Sequence, residues 1–290
     1  MSWRVLIVSN RAKLDLRLNY LVVRGETITQ IHLGEISVLL IESTAVSITS
    51  ALLCELVKRK IKVIFCDEKR NPCSELTPYY GSHDTSSKIR SQIDWDKKIK
   101  DSVWTEIVTE KIRKQKELLV YLNRQEAKLL EEYLTQIEFI DETNREGHAA
   151  KVYFNALFGM SFTRTLNTPI NAALNYGYSI ILSAVNREVV ANGYITQLGL
   201  FHDNMFNPFN LGSDLMEPFR PLIDRQVYYM EVEEFEHKEK MEVISVLNKE
   251  VIIDEKVHCV NNAIKIYCRS VFNALNEKDV SLIRFYKNEL

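Results

Sequence analysis

Strand-like patterning fills the first part of the chain. In "KLDLRLNYLVV", Leu14, Leu16 and Leu18 alternate with charged or polar residues, the period-two pattern of a half-buried strand. "VLIV" (5–8), "TITQIHL" (27–33) and "SVLLI" (37–41) are further short β-type runs, broken by Gly25 and Gly34. "TAVSITSALLCELVKRK" then sets Ala45, Ile48, Leu52 and Leu56 at helical spacing, with Ser43 or Thr44 available as N-cap. "KVIFCD" (62–67) reads as one more strand. These elements predict a β-rich, sandwich-like domain over 1–70.

Two prolines, a glycine and clustered Ser and Thr mark 71–88 as a linker. Beyond it the apolar spacing turns helical, so 89–290 is predicted to be an α-helical domain. Residues 92–140 hold almost no Gly or Pro and predict one or two long helices. Further helices are expected near 146–159, 170–192, 214–236 and 257–276. The last carries an apolar stripe of Val257, Val260, Ile264, Tyr267, Val271 and Leu275. The acidic run 230–244 reads as a solvated helix face or hairpin. The fold class predicted is therefore α+β, with the strands segregated at the N-terminal end.

Composition changes this picture little. The chain has 290 residues, 46% of them hydrophobic and 26% charged, as expected of a globular protein. A net charge of −2 gives no whole-molecule attraction to nucleic acid, so any polyanion site must be a local patch. The N-terminal apolar run is too short for a signal peptide, and nothing approaches the roughly 20 apolar residues of a membrane span. The expected location is the cytoplasm. The five cysteines form no CxxC pair and read as buried free thiols.

Candidate chemistry concentrates in two places. In "NREGHAAKVYFNALFG" (144–159), a helix would place Glu146, Ala150, Tyr153 and Leu157 on one face. Glu146 thus sits at the end of a buried stripe, either as a first-turn acid suited to the helix dipole or as a paired or metal-bound carboxylate. His148 points elsewhere. The second place is "LGLFHDNMFNPFNLGSDLMEPFRPLID" (198–224), which sets His202, Asp203, Asp214 and Glu217 among apolar residues. Asp214 and Glu217 share a face if helical, or Glu217 starts a helix with Pro218 at its first position. One imidazole with two or three carboxylates is a hard, mixed ligand set. It suits Mg²⁺ or Mn²⁺ better than Zn²⁺. There is no Gly-rich phosphate loop and no GxSxG. "KIRKQK" (111–116) reads as a basic patch that could meet phosphates or simply be solvated.

The run "EGHAAKVYFNALFG…INAALNYGYSIILSAVNREVVANGYITQLGLFHDN…FNPFNLGSDLMEPFRPLID", with "VSNRAKLDLRLNYLVVR", "LLIES" and "VIFCDEKRNP" before it, closely resembles the CRISPR-associated protein one family, in its type II-A branch. The resemblance implies an N-terminal β-domain that makes homodimers and a C-terminal helical domain. It implies a 4:2 heterohexamer with a small ferredoxin-like partner, CRISPR-associated protein two, with other type II-A adaptation proteins as possible additions. It implies insertion of a short double-stranded prespacer DNA at the leader-proximal repeat of the CRISPR array. The family's metal-binding residues fall on Glu146, His202 and Glu217, with Mg²⁺ or Mn²⁺ as the cofactor. Many relatives carry Asp where this chain has Glu217, and Asp214 matches a second acid of the motif, able to share the metal or orient a ligand.

Such integration is a transesterification by a DNA 3′-OH, so no Ser or Cys nucleophile is needed. Lys111, Arg113, Lys114 and Arg164 are the expected phosphate contacts. Two other readings fit parts of the sequence. "FHD" could belong to an HD-type phosphohydrolase, which would make Asp203 an essential ligand. A non-catalytic DNA-binding scaffold would show no metal-dependent chemistry.

Overall fold

The N-terminal aliphatic runs form two four-stranded sheets in a computed structural model that describes residues 4–78, 82–141 and 143–287. Residues 79–81 of the predicted linker lie outside the described residues. The strands are β1 (Arg4–Val8), β2 (Ala12–Arg17), β3 (Tyr20–Arg24), β4 (Ile28–His32), β5 (Ile36–Ile41) and β6 (Val46–Ile48). Helix α1 (Ser50–Lys58), β7 (Lys62–Cys66) and β8 (Pro72–Glu75) follow. The first sheet has the order β1-β5-β7-β8, with β1, β5 and β7 parallel and β8 antiparallel. In the second, β4-β3-β2-β6, an antiparallel meander ends on a parallel β6.

β5 shows why the first sheet lies where it does. Every residue of "ISVLLI" is buried. Leu39 and Ile41 join a core with Leu14 and Leu21 of the second sheet and Leu52 and Leu56 of α1. Val38 and Leu40, with Ile64 and Cys66 of β7, belong instead to the core of the helical region. A strand covered on both faces reads as a continuous apolar run rather than an alternating one.

Two N-terminal expectations are corrected. The helix starts at Ser50, not near Thr44. Val46 and Ile48 are β-branched and pair in parallel with Ala12 and Leu14, and the Thr49 hydroxyl accepts from the Leu52 amide at 3.4 Å. Within the predicted linker, Ser74 and Glu75 extend the first sheet beside Phe65 and Ile64, and Glu75 pairs with the buried Lys62 ammonium.

The rest of the chain is largely helical, as predicted: α2 (Thr85–Ile93), α3 (Lys97–Tyr121), α4 (Ala127–Thr135), α5 (Arg145–Phe158), α6 (Pro169–Ala191), α7 (Asn210–Met216), α8 (Arg220–Met230), α9 (His237–Ile244) and α10 (Val260–Glu277). A hairpin of β9 (Glu250–Ile253) and β10 (Lys256–Cys259) interrupts it, so the helix expected from Val257 begins at Val260. The helix expected over 214–236 is also divided. A 3₁₀ turn at Glu217–Phe219 carries Pro218, and α8 stops at Glu231 in left-handed backbone with φ 47°. α3 runs through the centre and packs against α4, α5, α8 and α10. α7 lies very close to α6, where a Cβ on Gly212 would meet Asn186 Oδ1 at 2.0 Å. Cys66 and Cys268 are buried free thiols as expected, whereas Cys54 and Cys73 are exposed. Among the described residues, no helix is long and apolar enough to cross a membrane.

Candidate active site

Glu146 occupies the first turn of α5, yet it does not cap that helix. Asp141 does so: its carboxylate accepts from the amides of Arg145 at 2.7 Å and Glu146 at 2.9 Å. The Glu146 side chain is left to reach α3, where it binds the Lys111 ammonium. Glu217, on the 3₁₀ turn between α7 and α8, meets the same ammonium at 2.5 Å through Oε2. That contact is a charge pair only, since the buried Oε2 has no hydrogen bond of proper geometry. Arg220 Nε lies 2.9 Å from Glu217 Oε1, again as an ion pair. Two carboxylates from distant parts of the chain thus converge on one buried cation.

Charge balance keeps Glu217 and Lys111 ionised. Burial pushes the Glu217 carboxyl up, but Lys111 and Arg220 outweigh it and hold the group below its ordinary range. Burial pushes Lys111 down, and the two glutamates more than reverse this.

His202 stands in the loop before α7 and is fixed by Asp214. The fully buried Asp214 carboxylate accepts from the amides of Leu200 at 2.6 Å, Phe201 at 3.2 Å and His202 at 3.1 Å. Its Oδ1 also lies 2.6 Å from His202 Nδ1. With Nδ1 engaged, Nε2 is the nitrogen left for other chemistry. The loop comes this close because residue 199 is glycine. A Cβ there would stand 2.3 Å from the His202 carbonyl oxygen and 2.7 Å from Asp214 Oδ2. The hydrogen bond to Asp214 raises the His202 pKa, against burial, which lowers it. Trp104 of α3 stacks on Phe201 with ring centres 4.6 Å apart and planes 2° from parallel. His202 stands edge-on to both rings.

Behind Glu217 the polar contacts continue inward. The Arg220 guanidinium lies over the Tyr178 ring at 4.6 Å. Tyr178 and Tyr153 both donate to the buried Asp224 carboxylate, Tyr153 at 3.0 Å. Burial pushes the Asp224 carboxyl up to about 6 in spite of these two donors.

The structure therefore brings Glu146 and Glu217 together and sets His202 on an Asp214 support. Asp214 is an orienting residue, since its oxygens are committed to three amides and an imidazole. Asp203 and His148 are exposed, and it is Asp214 rather than Asp203 that contacts His202. The expected basic patch is corrected. Lys111 and Lys114 are buried: Lys111 lies between Glu146 and Glu217, and Lys114 between Glu110 and Glu117. Neither is available to a phosphate at the surface. Arg113 is partly exposed and pairs with Glu110. Arg164 donates to Asn171 and, at 2.6 Å, to Asn175. Sequence reasoning named Lys111 as a phosphate contact and missed its place between two acids. The signal was its register, because Lys111 continues the stripe of Trp104, Ile107 and Val108 on α3.

Among the described residues, no three His, Cys, Asp or Glu side chains are gathered closely enough to ligate one ion, with Lys111 standing between the two glutamates. The donor set nonetheless has the chemistry of a hard-cation site. It holds two carboxylates aimed at one cation, a buried carboxylate oxygen without a hydrogen bond, and an imidazole fixed through its other nitrogen.

Residues 5–251 match the family described as CRISPR associated protein Cas1. A CRISPR-associated endonuclease Cas1 from Neisseria meningitidis is 37% identical over 233 residues, which span 79% of this chain and 76% of that protein. A second, from Pyrobaculum aerophilum, is 29% identical over 68% of this chain and 71% of its own length. Among solved structures, a casposase bound to an integration product superposes with a TM-score of 0.77 at 17% identity, covering 97% of this chain and 93% of its own. A Cas1 protein from Thermotoga maritima gives 0.76 at 16% identity, over 94% and 97% of the two chains. The casposase and the Thermotoga protein share the fold, and the match over most of the sequence places this chain in the Cas1 family of CRISPR-associated proteins.

Proposed function

We propose how this chain, as a DNA integrase and endonuclease of CRISPR adaptation, does its chemistry. Glu146, His202 and Glu217 hold Mg²⁺ or Mn²⁺. The observation that carries this reading is the convergence of the two glutamates on one buried ammonium, beside an imidazole whose Nδ1 is already taken by Asp214. When bound, a divalent cation would acidify the attacking 3′-hydroxyl and offset charge on the phosphate.

The chain's own groups set up the rest. Asp214 holds the imidazole through Nδ1 and leaves Nε2 for a ligand. Glu217 is the most buried of the three and is held by Arg220, while Glu146 and His202 are partly exposed. Lys111 holds the two carboxylates at one point and offsets their repulsion. In strand transfer the 3′-oxygen of the incoming DNA bonds to a target phosphorus, the target's own 3′-oxygen leaves, and the hydroxyl proton passes to it or to solvent. With water as nucleophile the same centre cleaves DNA. No protein nucleophile takes part.

The proposed assembly is that of the family resemblance. The DNA partners are a double-stranded prespacer and a leader-repeat target. The chain pairs with a second copy through its β-rich region and with a Cas2-like ferredoxin-fold protein in a 4:2 complex. In support of this reading, the chain shares its fold with part of a chain of a Cas6-RT-Cas1–Cas2 complex, with a TM-score of 0.75 at 18% identity. Arg113 and Arg164 remain the candidate phosphate contacts, and Lys111 and Lys114 are withdrawn from that role.

The test uses the purified chain with its small partner, a labelled duplex with free 3′-OH ends, and a supercoiled plasmid carrying leader and repeat, in Mn²⁺. Joined product is expected from wild type and Asp203→Ala, and none from His202→Ala. Loss in both variants, with nucleotide hydrolysis by wild type, would support the HD-type phosphohydrolase instead.

A further inference from the structure

Phe201 directly precedes His202, and its ring is fixed more firmly than exposure alone would suggest. One face lies on the buried Trp104 ring, parallel to within 2°. Its amide donates to the same Asp214 carboxylate that holds His202. Even so, 51% of Phe201 is open to solvent. Beyond it the loop exposes Met205 and Phe206, at 87% and 85%. Side-chain amides hold this loop in shape. Asn210 donates to the carbonyls of Gln197 and Asn204 at 3.0 Å each, and the Asn204 side chain accepts from the Phe206 amide at 2.9 Å. A loop pinned in a shape that turns an aromatic ring outward gains nothing in folding from that ring's exposed face.

We propose that the open face of Phe201 is a stacking platform for the unpaired 3′-terminal nucleobase of the incoming DNA strand. This inference rests on the strand-transfer reading above. The occupant follows from shape and position. Trp104 and Phe201 already form a two-ring parallel stack, and a flat base continues it as the third ring. A phenyl ring covers one base, not a base pair. A base inside a duplex is already stacked on both sides, so the fitting base is a single-stranded terminal one. Because Asp214 ties platform and imidazole together, a base on Phe201 is placed in a fixed relation to His202. The platform therefore selects a frayed or single-stranded 3′ end over a blunt one and positions its terminal sugar at the glutamate pair. Phe201 is a positioning residue and reads no base sequence, since every base has a π-face.

The test crosses protein and DNA changes. Wild type, Phe201→Tyr and Phe201→Leu, each with the small partner, are given strands ending in a normal nucleotide or in an abasic nucleotide with the same 3′-OH. On the normal end, Phe201→Leu is expected to lose about 5- to 100-fold in joining, and Phe201→Tyr to stay within about twofold. On the abasic end, all three should agree within about twofold. A binding readout without added metal uses 2-aminopurine at the 3′ terminus, whose fluorescence wild type quenches and Phe201→Leu does not. Equal losses by Phe201→Leu on both ends, or no quenching by wild type, would overturn the platform. Quenching by wild type without any joining would keep the platform and instead count against the strand-transfer reading.

Discussion

Two histidine–carboxylate pairs among the described residues look alike pairwise and differ in what surrounds them. In each, a fully buried carboxylate contacts the Nδ1 of a partly exposed imidazole. One pair is Asp214 with His202 at 2.6 Å, and the other is Glu42 with His237 at 3.0 Å. Asp214 also fixes the amides of Leu200, Phe201 and His202 itself, and the charge of Glu217, one of two carboxylates gathered on a lysine, acts on that histidine. Glu42 instead directly follows β5 and meets Arg70 at 3.4 Å, and Arg70 in turn lies 3.3 Å from His237 Nδ1. The second pair is a latch between the β-rich region and α9, with a cation facing the imidazole. A histidine–carboxylate contact is thus a common structural device. The proposed site differs from the latch in that its imidazole is held by its backbone as well as its ring.

The strongest way to break this comparison is to remove the cation from each pair's neighbourhood. Lys111→Met leaves Glu146 and Glu217 facing each other with only Arg220, on Glu217, as counter-charge and is expected to cost about 3–5 kcal/mol. Arg70→Met removes a half-exposed cation from the buried Glu42, which keeps its contact with His237, and should cost less than Lys111→Met. Chemical denaturation with and without Mn²⁺ checks both, and added Mn²⁺ should restore part of the Lys111→Met loss and none of the other. If Mn²⁺ fails to rescue, the glutamates are not its ligands.

A smaller effect sharpens the contrast between the buried acids. Asp214→Asn should weaken Mn²⁺ binding about 10- to 100-fold by releasing the imidazole orientation. Glu42→Gln should leave binding unchanged within about twofold. Calorimetric titration with Mn²⁺ reads both, and equal effects would erase the distinction drawn here.

The smallest expected effect is in proton binding. The Asp214 contact raises the His202 pKa above its ordinary value. A raised folded-state pKa means that the protonated pair adds stability below the ordinary histidine range. That contribution is lost as the pH rises through the raised value. Ion binding runs the other way, since Nε2 must be neutral to ligate, and weakens as the pH falls below the raised value. NMR titration of the His202 ring in wild type and Asp214→Asn should show the raised value fall back toward the ordinary one. An unchanged ring titration would mean that Asp214 positions the histidine without tuning it.

Much of the site was legible where residue type and local order carry the information. His202, Asp214 and Glu217 share one short stretch, and its mixture of acids and aromatics reflects a loop that is both packed and polar. Glu146 stood out by register on a predicted helix, although its choice between capping and pairing depended on Asp141, which periodicity does not weigh. Lys111 was misread because "KIRKQK" looks solvated when its partners lie 35 and 106 positions away in sequence. A lysine on an apolar stripe is a request for a buried acid, and that register was present in the sequence. The strand at Pro72–Glu75 was hidden for a related reason. Its turn-forming composition pointed to a linker, and only pairing with β7 makes it a strand.

The sheet β1-β5-β7-β8 contributes Leu39 and Ile41 to one core and Val38, Leu40, Ile64 and Cys66 to the other. It is thus the shared wall of two rooms. Neither room closes without it, so melting of the β-rich region strips the apolar floor from beneath α6 and the helices around it. The β-rich and helical regions are therefore expected to unfold together rather than one after the other.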